Sequence, residues 1–504
     1  MIPHDRTTCT SPGRTGAAAA SSMAAAAAQR VANPAGASPA ANPAAGPAAN
    51  PAGRTVVVGL GRTGMSCVRY LRSRGMAFAV TDNRAEPPEA KALQRLAPEA
   101  PTRFGAFDES LLDGAAQVLA SPGVSLAEPF LASALRRGLP VMGDIELFAR
   151  EARAPVVAIT GTNGKSTVTS LVALMVQAAG RRVLAGGNLG EPALDLLEQP
   201  VPDAYVLELS SFQLETTRSL RTAAAAVLNV SADHMDRYAT PGQYAAAKAR
   251  IFEHCAVAIV NLDDPVVRAM PSPSSRVLGF SLHAEPAADY HVRAMPAPGA
   301  SPDDSAAAAT DWALMHRDEM LAKMSDLRIT GLHNAANALA ALALGAALRL
   351  PREACLRALR EFPGLPHRSQ WIADRRGVRY VDDSKGTNVG ATLAAVAGMT
   401  GPLILIAGGQ GKGQDFTPLA AACGRKVRHV VLIGQDAQAI AAALRGVVTI
   451  QFADDMQAAV RLAAQVARAG EAVLLSPACA SLDMFRDYAH RGDVFAAAVR
   501  ELPA

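Results

Sequence analysis

The chain has 504 residues, 50% of them hydrophobic, and a formal net charge of only +4. This length predicts about three globular domains with buried cores. The low charge, with basic residues spread among acidic ones, argues against a nucleic acid or a membrane surface as partner and favours small-molecule chemistry. The six cysteines form no C-x-x-C pair, which argues against a zinc cluster or a disulfide framework and fits a reducing cytoplasm.

Two segments have low complexity. Residues 1–53 are rich in Ala, Pro, Gly, Ser and Asn, and we expect a disordered tail rather than an export signal, because the alanine run lacks a leucine-rich core. Residues 296–310 have a similar composition, which predicts a surface insertion. No stretch elsewhere reaches the roughly 18 apolar residues of a membrane helix.

From Arg54 onward, short β-branched runs alternate with polar turns and Ala/Leu-rich helical stretches, which is typical of parallel sheets wound with helices. Polar residues follow nearly every run, where the carboxyl ends of parallel strands form ligand sites. We place domain boundaries near residues 150 and 363. The predicted strands are Thr55–Gly59, Ala77–Thr81, Pro155–Thr160, Tyr205–Leu209, Ala225–Val230, Ala256–Asn261, Val378–Val381, Leu403–Ala407, Val430–Ile433 and Ala472–Leu475.

The first motif is a glycine-rich loop. Residues 59–64 read G-x-G-x-x-G after a strand and before a helix, and Asp82 ends the next strand. Such a loop brings backbone amides close to phosphate at a helix N-terminus. Alone it suggests a dinucleotide cofactor, but no catalytic set for hydride transfer follows it. A uridine diphosphate could use the same loop.

The second motif resembles a P-loop. Residues 160–167 read T-G-T-N-G-K-S-T between a strand and a helix. Backbone amides would surround phosphates, Lys165 would neutralise phosphate oxygens, and Ser166 would offer a magnesium ligand. The standard spacing would put glycine at position 159, where this chain has Ile159. The shortened form points to a particular subgroup of ATP users.

Further strand ends carry polar side chains that could meet at the same phosphates. Glu208 ends an apolar strand, and a carboxylate there suits magnesium. His234, in the run Asp233–Asp236, is compatible with either a structural or a metal role. By default, Lys248 would be a solvated helix lysine. In the third domain, Arg368 and Asp383 could grip ATP across a cleft, which requires domain closure.

Together these motifs resemble the Mur ligase family from about Arg54 to the C-terminus. The branch that adds D-glutamate is indicated by the first-domain loop, by the run from Leu207 to Glu215, by the run from Asp233 to Tyr238, and by Ser476–Asp483. The resemblance implies an α/β fold with three domains: a Rossmann-like N-terminal domain (54–150), a central P-loop ATPase domain with a parallel sheet (151–362) and a Rossmann-like C-terminal domain (363–504).

The resemblance also implies roles for individual residues. The UDP-substrate would be bound by Gly61, Thr63, Asp82, Arg84, Ser121, Gly123 and Asn188. ATP would be bound by Gly161, Thr162, Asn163, Gly164, Lys165, Ser166, Thr167, Asn334, Asn337, Arg368 and Asp383. D-Glutamate would be held by Thr387, Lys412, Ser481 and Tyr488, the last at a place where the family commonly has phenylalanine. Mg²⁺ would be held by Ser166, Glu208, His234 and a carboxylated Lys248, and the catalytic residues would be Lys165, His234 and Lys248.

The activity implied is ligation of D-glutamate to UDP-N-acetylmuramoyl-L-alanine through an acyl phosphate, with release of ADP and phosphate, in peptidoglycan precursor synthesis. ATP and Mg²⁺ are the expected cofactors, and a cytoplasmic monomer without nucleic-acid or membrane partners is expected. Alternatives are a sibling ligase for another amino acid or a dipeptide, a folate polyglutamate synthetase, a nicotinamide dehydrogenase using residues 59–64, and a non-catalytic binding protein. Intact Lys165, Glu208 and Lys248 argue against the last.

Overall fold

The computed structural model describes residues 53–188, 190–270, 276–296, 309–399 and 401–503. The tail predicted over residues 1–53 lies outside these ranges except for Gly53, and most of the insertion predicted over 296–310 also lies outside them. Across the described ranges, no helix combines the length and apolar character needed to cross a membrane.

The first domain is a five-stranded parallel sheet in the order β3-β2-β1-β4-β5. Its strands are β1 (Arg54–Val58), β2 (Phe78–Asp82), β3 (Thr102–Phe104), β4 (Ala115–Ala120) and β5 (Val141–Met142). Its helices are α1 (Arg62–Ser73), α2 (Ala90–Leu96), α3 (Pro129–Arg136) and α4 (Asp144–Glu151). Buried aliphatic residues alternate between the two faces of β1, so helices cover both sides.

The central domain is built on a nine-stranded sheet in the order β14-β13-β12-β11-β10-β9-β6-β8-β7. Its strands are β6 (Val156–Thr160), β7 (Val183–Gly187), β8 (Ala204–Glu208), β9 (Ala224–Val227), β10 (Val257–Asn261), β11 (Arg276–Ser281), β12 (Tyr290–Pro296), β13 (Ala309–His316) and β14 (Glu319–Lys323). Its helices are α5 (Lys165–Ala178), α6 (Ala193–Leu196), α7 (Ser211–Glu215), α8 (Pro241–Ala249), α9 (Pro265–Arg268), α10 (Leu332–Ala347) and α11 (Arg352–Glu361). Helices α5, α10 and α11 pack together over one face of the sheet.

The third domain has a six-stranded sheet in the order β15-β16-β20-β17-β18-β19. Its strands are β15 (Gln370–Arg375), β16 (Val378–Asp382), β17 (Leu403–Gly408), β18 (Val427–Ile433), β19 (Thr449–Phe452) and β20 (Ala472–Leu475). Its helices are α12 (Val389–Gly398), α13 (Pro418–Lys426), α14 (Ala437–Ala443), α15 (Met456–Val466) and α16 (Tyr488–Glu501). Two buried clusters occupy the two faces of the sheet.

All the predicted strands are present, with small shifts at their ends. The three-domain α/β fold is confirmed, and the sheets are parallel through their centres. The edges differ from the prediction, because β13, β14 and β15 pair antiparallel to their neighbours. The helix after the P-loop begins at Lys165, inside the motif itself.

Candidate active site

A cavity of about 680 Å³ opens at the carboxyl ends of the first-domain strands. The glycine loop forms its floor, and helix α1 packs tightly against that loop, since a Cβ on Gly64 would lie 2.0 Å from the Gly59 carbonyl oxygen. All residues expected to contact the UDP-substrate line this cavity: Gly61, Thr63, Asp82, Arg84, Ser121, Gly123 and Asn188. The last comes from the central domain, so the cavity is shared between two domains.

Asp82 is tied into the wall of this cavity. Its carboxylate accepts hydrogen bonds from the Leu60 backbone at 2.7 Å and from the Arg84 guanidinium at 2.6 and 2.8 Å. Burial of Asp82 opposes its ionisation, but these hydrogen bonds outweigh it and lower its pKa. The Asp82–Arg84 pair is therefore a preformed polar surface at the base of the cavity.

The P-loop lies between β6 and α5. Gly161 and Gly164 have φ of +152° and +84°, and a Cβ on Gly164 would lie 2.4 Å from the Asn337 side-chain oxygen. The strand-loop-helix geometry thus requires glycine at position 164. The Asn163 backbone N–H donates to Asn229 Oδ1 at 2.8 Å, which links the loop to the end of β9. The loop is held from two neighbouring segments.

Two lysines meet at one carbonyl of this loop. Lys165 Nζ donates to the Gly161 and Thr162 carbonyls at 2.8 Å each, and Lys248 Nζ donates to the Gly161 carbonyl at 2.9 Å. Lys248 is 1% exposed, and its Nζ lies 4.5 Å from the centre of the Tyr244 ring. Burial lowers the pKa of both ammonium groups, well below the ordinary value for Lys248. Lys248 is therefore not the solvated lysine that its helix position suggested.

Glu208 offers an unsatisfied carboxylate oxygen. It is 3% exposed, its Oε1 accepts from Asn188 Nδ2 at 2.7 Å, and its buried Oε2 has no hydrogen-bond partner. Glu208 lines the same cavity as the P-loop residues, and a buried carboxylate oxygen without a partner suits a hard cation there. Within the described ranges, no three His, Cys, Asp or Glu side chains form a metal cluster, so a cation here needs other oxygen ligands such as Ser166 Oγ.

His234 lies at a turn in a left-handed conformation with φ of +58°. Its ring packs edge-on against Phe212, with 4.8 Å between ring centres, and its Nε2 is 3.8 Å from Asp233 Oδ2. Burial lowers its pKa below 6.5, although Asp233 opposes this change. The imidazole is therefore mainly neutral at neutral pH, which leaves a nitrogen lone pair free to accept a proton or bind a cation.

A second cavity of about 300 Å³ lies between the central and third domains. The expected ATP residues that line it are Asn163, Gly164, Thr167, Asn334, Asn337, Arg368 and Asp383. The carboxamide of Asn334 accepts a hydrogen bond from that of Asn337 at 3.2 Å. Burial raises the pKa of Asp383 to about 7, although hydrogen bonds from the Ser476 side chain and the Ser369 backbone act to lower it. Thr162, Lys165 and Ser166 line the third cavity instead, and Gly161 lines neither of the two.

The third cavity, which we call the reaction cavity, measures about 280 Å³. Its lining brings together residues that are far apart in the sequence: Thr162, Lys165, Ser166, Asn188, Glu208, His234, Lys248, Arg368, Thr387 and Lys412. Asn188 also lines the first-domain cavity, and Arg368 also lines the second cavity. The reaction cavity therefore lies between the other two.

Direct hydrogen bonds join the central and third domains across this cavity. Arg368 Nη2 donates to Ser166 Oγ at 2.6 Å. Asn163 and Asn388 exchange side-chain hydrogen bonds of 3.1 and 3.2 Å, and Asn388 also donates to Asp233 at 3.3 Å. The two domains are therefore closed on each other.

The residues expected to bind D-glutamate are divided. Thr387 and Lys412 line the reaction cavity, whereas Ser481 and Tyr488 do not. Ser481 is buried in the loop after β20, and Tyr488 begins α16. The Tyr488 ring lies 3.9 Å from Lys385 Nζ.

Sequence reasoning missed several residues of the cavity wall, among them Lys385, Asp233 and Asn388. Burial, helped by neighbouring cations, lowers the pKa of Lys385 to about 8. Lys385 also lines the second cavity, so it lies between the two. For Lys385, the only signal in the sequence was its position after the end of a strand, two residues before Thr387.

The fold and site define a class: a three-domain P-loop enzyme whose nucleotide cleft closes between domains. Residues 53–143 match the "Mur ligase MurD-like, N-terminal domain", residues 159–345 the "Mur ligase middle domain", and residues 367–479 the "Mur ligase, glutamate ligase domain". The chain belongs to the Mur ligase family.

The chain matches curated relatives of high sequence identity over nearly the whole length of those proteins. UDP-N-acetylmuramoylalanine–D-glutamate ligases from Nitrosococcus oceani and Marinobacter nauticus are each 50% identical to this chain; the matches cover 89% of this chain and 96% and 98% of those proteins. The UDP-N-acetylmuramate-alanine ligase structure from Thermotoga maritima shares the fold, with a TM-score of 0.56 and 18% identity over 89% of this chain and 99% of that one. The MurF ligase from the same organism, solved with ADP, has a TM-score of 0.55 and 17% identity over 90% and 96%.

Proposed function

We propose that the chain is an ATP-dependent ligase that joins D-glutamate to UDP-N-acetylmuramoyl-L-alanine in peptidoglycan precursor synthesis. The observation that carries the proposal is the reaction cavity, which holds Lys165, Glu208 and Lys248. It lies between the first-domain cavity, which we call the nucleotide-sugar cavity, and the second cavity, which we call the ATP cavity. The names of relatives at 50% identity supply the amino acid and the sugar nucleotide.

In the first step, the L-alanyl carboxylate attacks the γ-phosphorus of ATP, the bond to the bridging oxygen breaks, and ADP leaves. Lys165 carries positive charge to the transferring phosphoryl group, and Arg368 reaches the same point from the third domain. Both act by placing charge where negative charge must be stabilised. The product is an acyl phosphate.

In the second step, the amine of D-glutamate attacks the acyl carbon, the C–O bond breaks, and phosphate leaves with the electron pair. The attacking amine must lose a proton, and neutral His234 on the cavity wall is a suitable acceptor. A purely cation-organising role for His234 fits the same geometry.

Mg²⁺ would be held by Ser166, Glu208 and His234, and when bound it would neutralise phosphate charge. The unpartnered Glu208 Oε2 supports this assignment. The lowered pKa of Lys248 supports carboxylation, because only a neutral amine adds to carbon dioxide, and the resulting carbamate would supply anionic oxygens.

D-Glutamate brings two carboxylates into the cavity, and each needs charged or polar partners. Lys412 and Thr387 are available for one of them. Lys385 adds a third polar group to the same wall. Ser481 and Tyr488 remain proposed contacts of D-glutamate, and such contacts would require the amino acid to extend beyond the reaction cavity.

The test is phosphate release with ATP, Mg²⁺ and UDP-N-acetylmuramoyl-L-alanine, compared across amino acids. D-Glutamate should stimulate release, whereas stimulation by L-alanine or a diamino acid instead would indicate a sibling ligase. Lys165→Ala should abolish ADP formation, and wild-type rates of ADP formation in that variant would contradict the P-loop assignment. Binding of NAD in preference to the UDP-sugar would favour the dehydrogenase alternative.

We also propose that the enzyme is a cytoplasmic monomer. The cysteines of the described residues, at positions 67, 255, 355, 423 and 479, are free and buried, which fits a reducing compartment. Light scattering across a concentration series and cell fractionation would test both statements. A stable dimer or a membrane-bound pool would contradict them.

A further inference from the structure

Arg237 links the central domain to the nucleotide-sugar cavity. Its side chain is only 11% exposed, Nη1 donates to the Pro122 carbonyl at 2.8 Å, and Nη2 donates to Glu215 Oε2 at 2.7 Å. Pro122 lies between Ser121 and Gly123 in the loop that lines the first-domain cavity. One central-domain side chain therefore holds a cavity wall that belongs to another domain.

The other face of Arg237 packs against a residue in the wall of the reaction cavity. Its guanidinium carbon lies 4.1 Å from the centre of the Phe212 ring, and that ring packs against His234. Phe212 lines the reaction cavity. The Arg237 backbone N–H also donates to the His234 carbonyl at 3.0 Å, closing the turn that holds the imidazole.

We propose that Arg237 is a positioning residue that fixes the spacing between the nucleotide-sugar cavity and the reaction cavity. It makes no proposed contact with substrate itself. By tying Pro122 to the Phe212–His234 wall, it lets a substrate held by its nucleotide deliver its acyl end to the P-loop. The inference rests on the proposed function, since it assumes a substrate that spans both cavities.

A guanidinium suits this task because it is planar and donates along fixed directions to two acceptors at once. Glu215 fixes the orientation of the Arg237 guanidinium, and the Phe212 ring packs against the face of that group. A lysine can satisfy one of the two acceptors and retain the charge opposite Glu215. Arg237→Lys should therefore keep the fold while losing part of the positioning.

The experiment measures binding of UDP-N-acetylmuramoyl-L-alanine and of a non-hydrolysable ATP analogue by calorimetry, together with KM for each substrate. In Arg237→Ala, the loss of one charge-assisted hydrogen bond to the loop should weaken sugar-nucleotide binding about tenfold. ATP-analogue binding should stay within about twofold. Arg237→Lys should fall between Arg237→Ala and the wild type.

Arg250 provides a matched control. Its guanidinium donates to the Leu214 and Thr217 carbonyls at 2.8 and 2.6 Å, so it also supports helix α7, but from within the central domain. Arg250→Ala should lower the melting temperature without selective loss of sugar-nucleotide binding. Equal weakening of both ligands in Arg237→Ala, unchanged binding, or the same selective loss in Arg250→Ala would overturn the inference. Because binding needs no turnover, absence of ligation by the wild type would count against the proposed function alone.

Discussion

Replacing Asn388 with aspartate probes the closed state of the central and third domains. The Asn388 side-chain oxygen caps α12 by accepting from the Ala391 backbone at 2.8 Å, while its nitrogen donates to Asn163 and Asp233. Aspartate is as good an N-cap as asparagine, so α12 should be unaffected. The substitution removes both donated hydrogen bonds and sets a second carboxylate beside Asp233.

The magnitude follows from the 3.3 Å separation between Asn388 Nδ2 and Asp233 Oδ2. At an effective dielectric constant of about 20, two unit charges at that distance repel by about 5 kcal/mol. Lys412, 3.9 Å from Asp233 Oδ1, offsets part of this repulsion. A net cost of about 3 kcal/mol to the closed state should reduce kcat/KM at least about 100-fold.

The assay is steady-state phosphate release at saturating ATP, with the melting temperature as a check on folding. Asn388→Ser keeps a capping oxygen without adding charge and should lose only about tenfold. Repulsion raises the pKa of the introduced carboxyl, so its protonation at lower pH removes the charge. Activity of Asn388→Asp relative to the wild type should therefore rise as pH falls. A kcat/KM within twofold of the wild type at pH 8, or a ratio that does not depend on pH, would refute the reasoning.

Three further predictions concern the nucleotide end of the site. Gly164→Ala should weaken ATP binding at least about tenfold in calorimetry, because its Cβ would meet Asn337 and its φ is positive; unchanged affinity would contradict the loop geometry. Glu208→Gln should raise the Mg²⁺ concentration needed for half-maximal activity about tenfold or more, because a neutral amide is a weaker ligand than a carboxylate. A Mg²⁺ titration of activity measures this concentration, and an unchanged value would remove Glu208 from the metal site. Lys385 is mainly a cation only below its lowered pKa of about 8, so the affinity for anionic substrate should fall as the pH rises through 8. In a plot of KM against pH, Lys385→Arg should abolish that fall. A fall in affinity that persists in the variant would assign the titration to another group.

The strands that could be predicted from sequence are those buried on both faces, because they appear as continuous β-branched runs bounded by polar turns. Strand β15 is mostly exposed or half-buried, so its residues give no such run. Its antiparallel pairing with β16 depends on a contact that local sequence does not encode. The antiparallel edge formed by β13 and β14 was missed for a similar reason.

The glycines and lysine of the P-loop followed from sequence because backbone geometry dictates residue type there. Lys248 and Lys385 did not, because what distinguishes them from solvated lysines is burial by segments distant in sequence, such as the P-loop carbonyl of Gly161 and the Tyr488 ring. The resemblance pointed to Lys248 but not to Lys385. The roles of Ser481 and Tyr488 rest on resemblance alone.

Asn188 belongs to two cavities at once, since it lines the nucleotide-sugar cavity and donates to Glu208 Oε1. A compound designed to hydrogen-bond this carboxamide from the sugar side would be difficult to evade by substitution of the residue it contacts. A substitution at Asn188 that repelled the compound would also release the Glu208 carboxylate from its fixed orientation. Resistance at this position should therefore come with slower ligation, which makes Asn188 a suitable contact for inhibitor design.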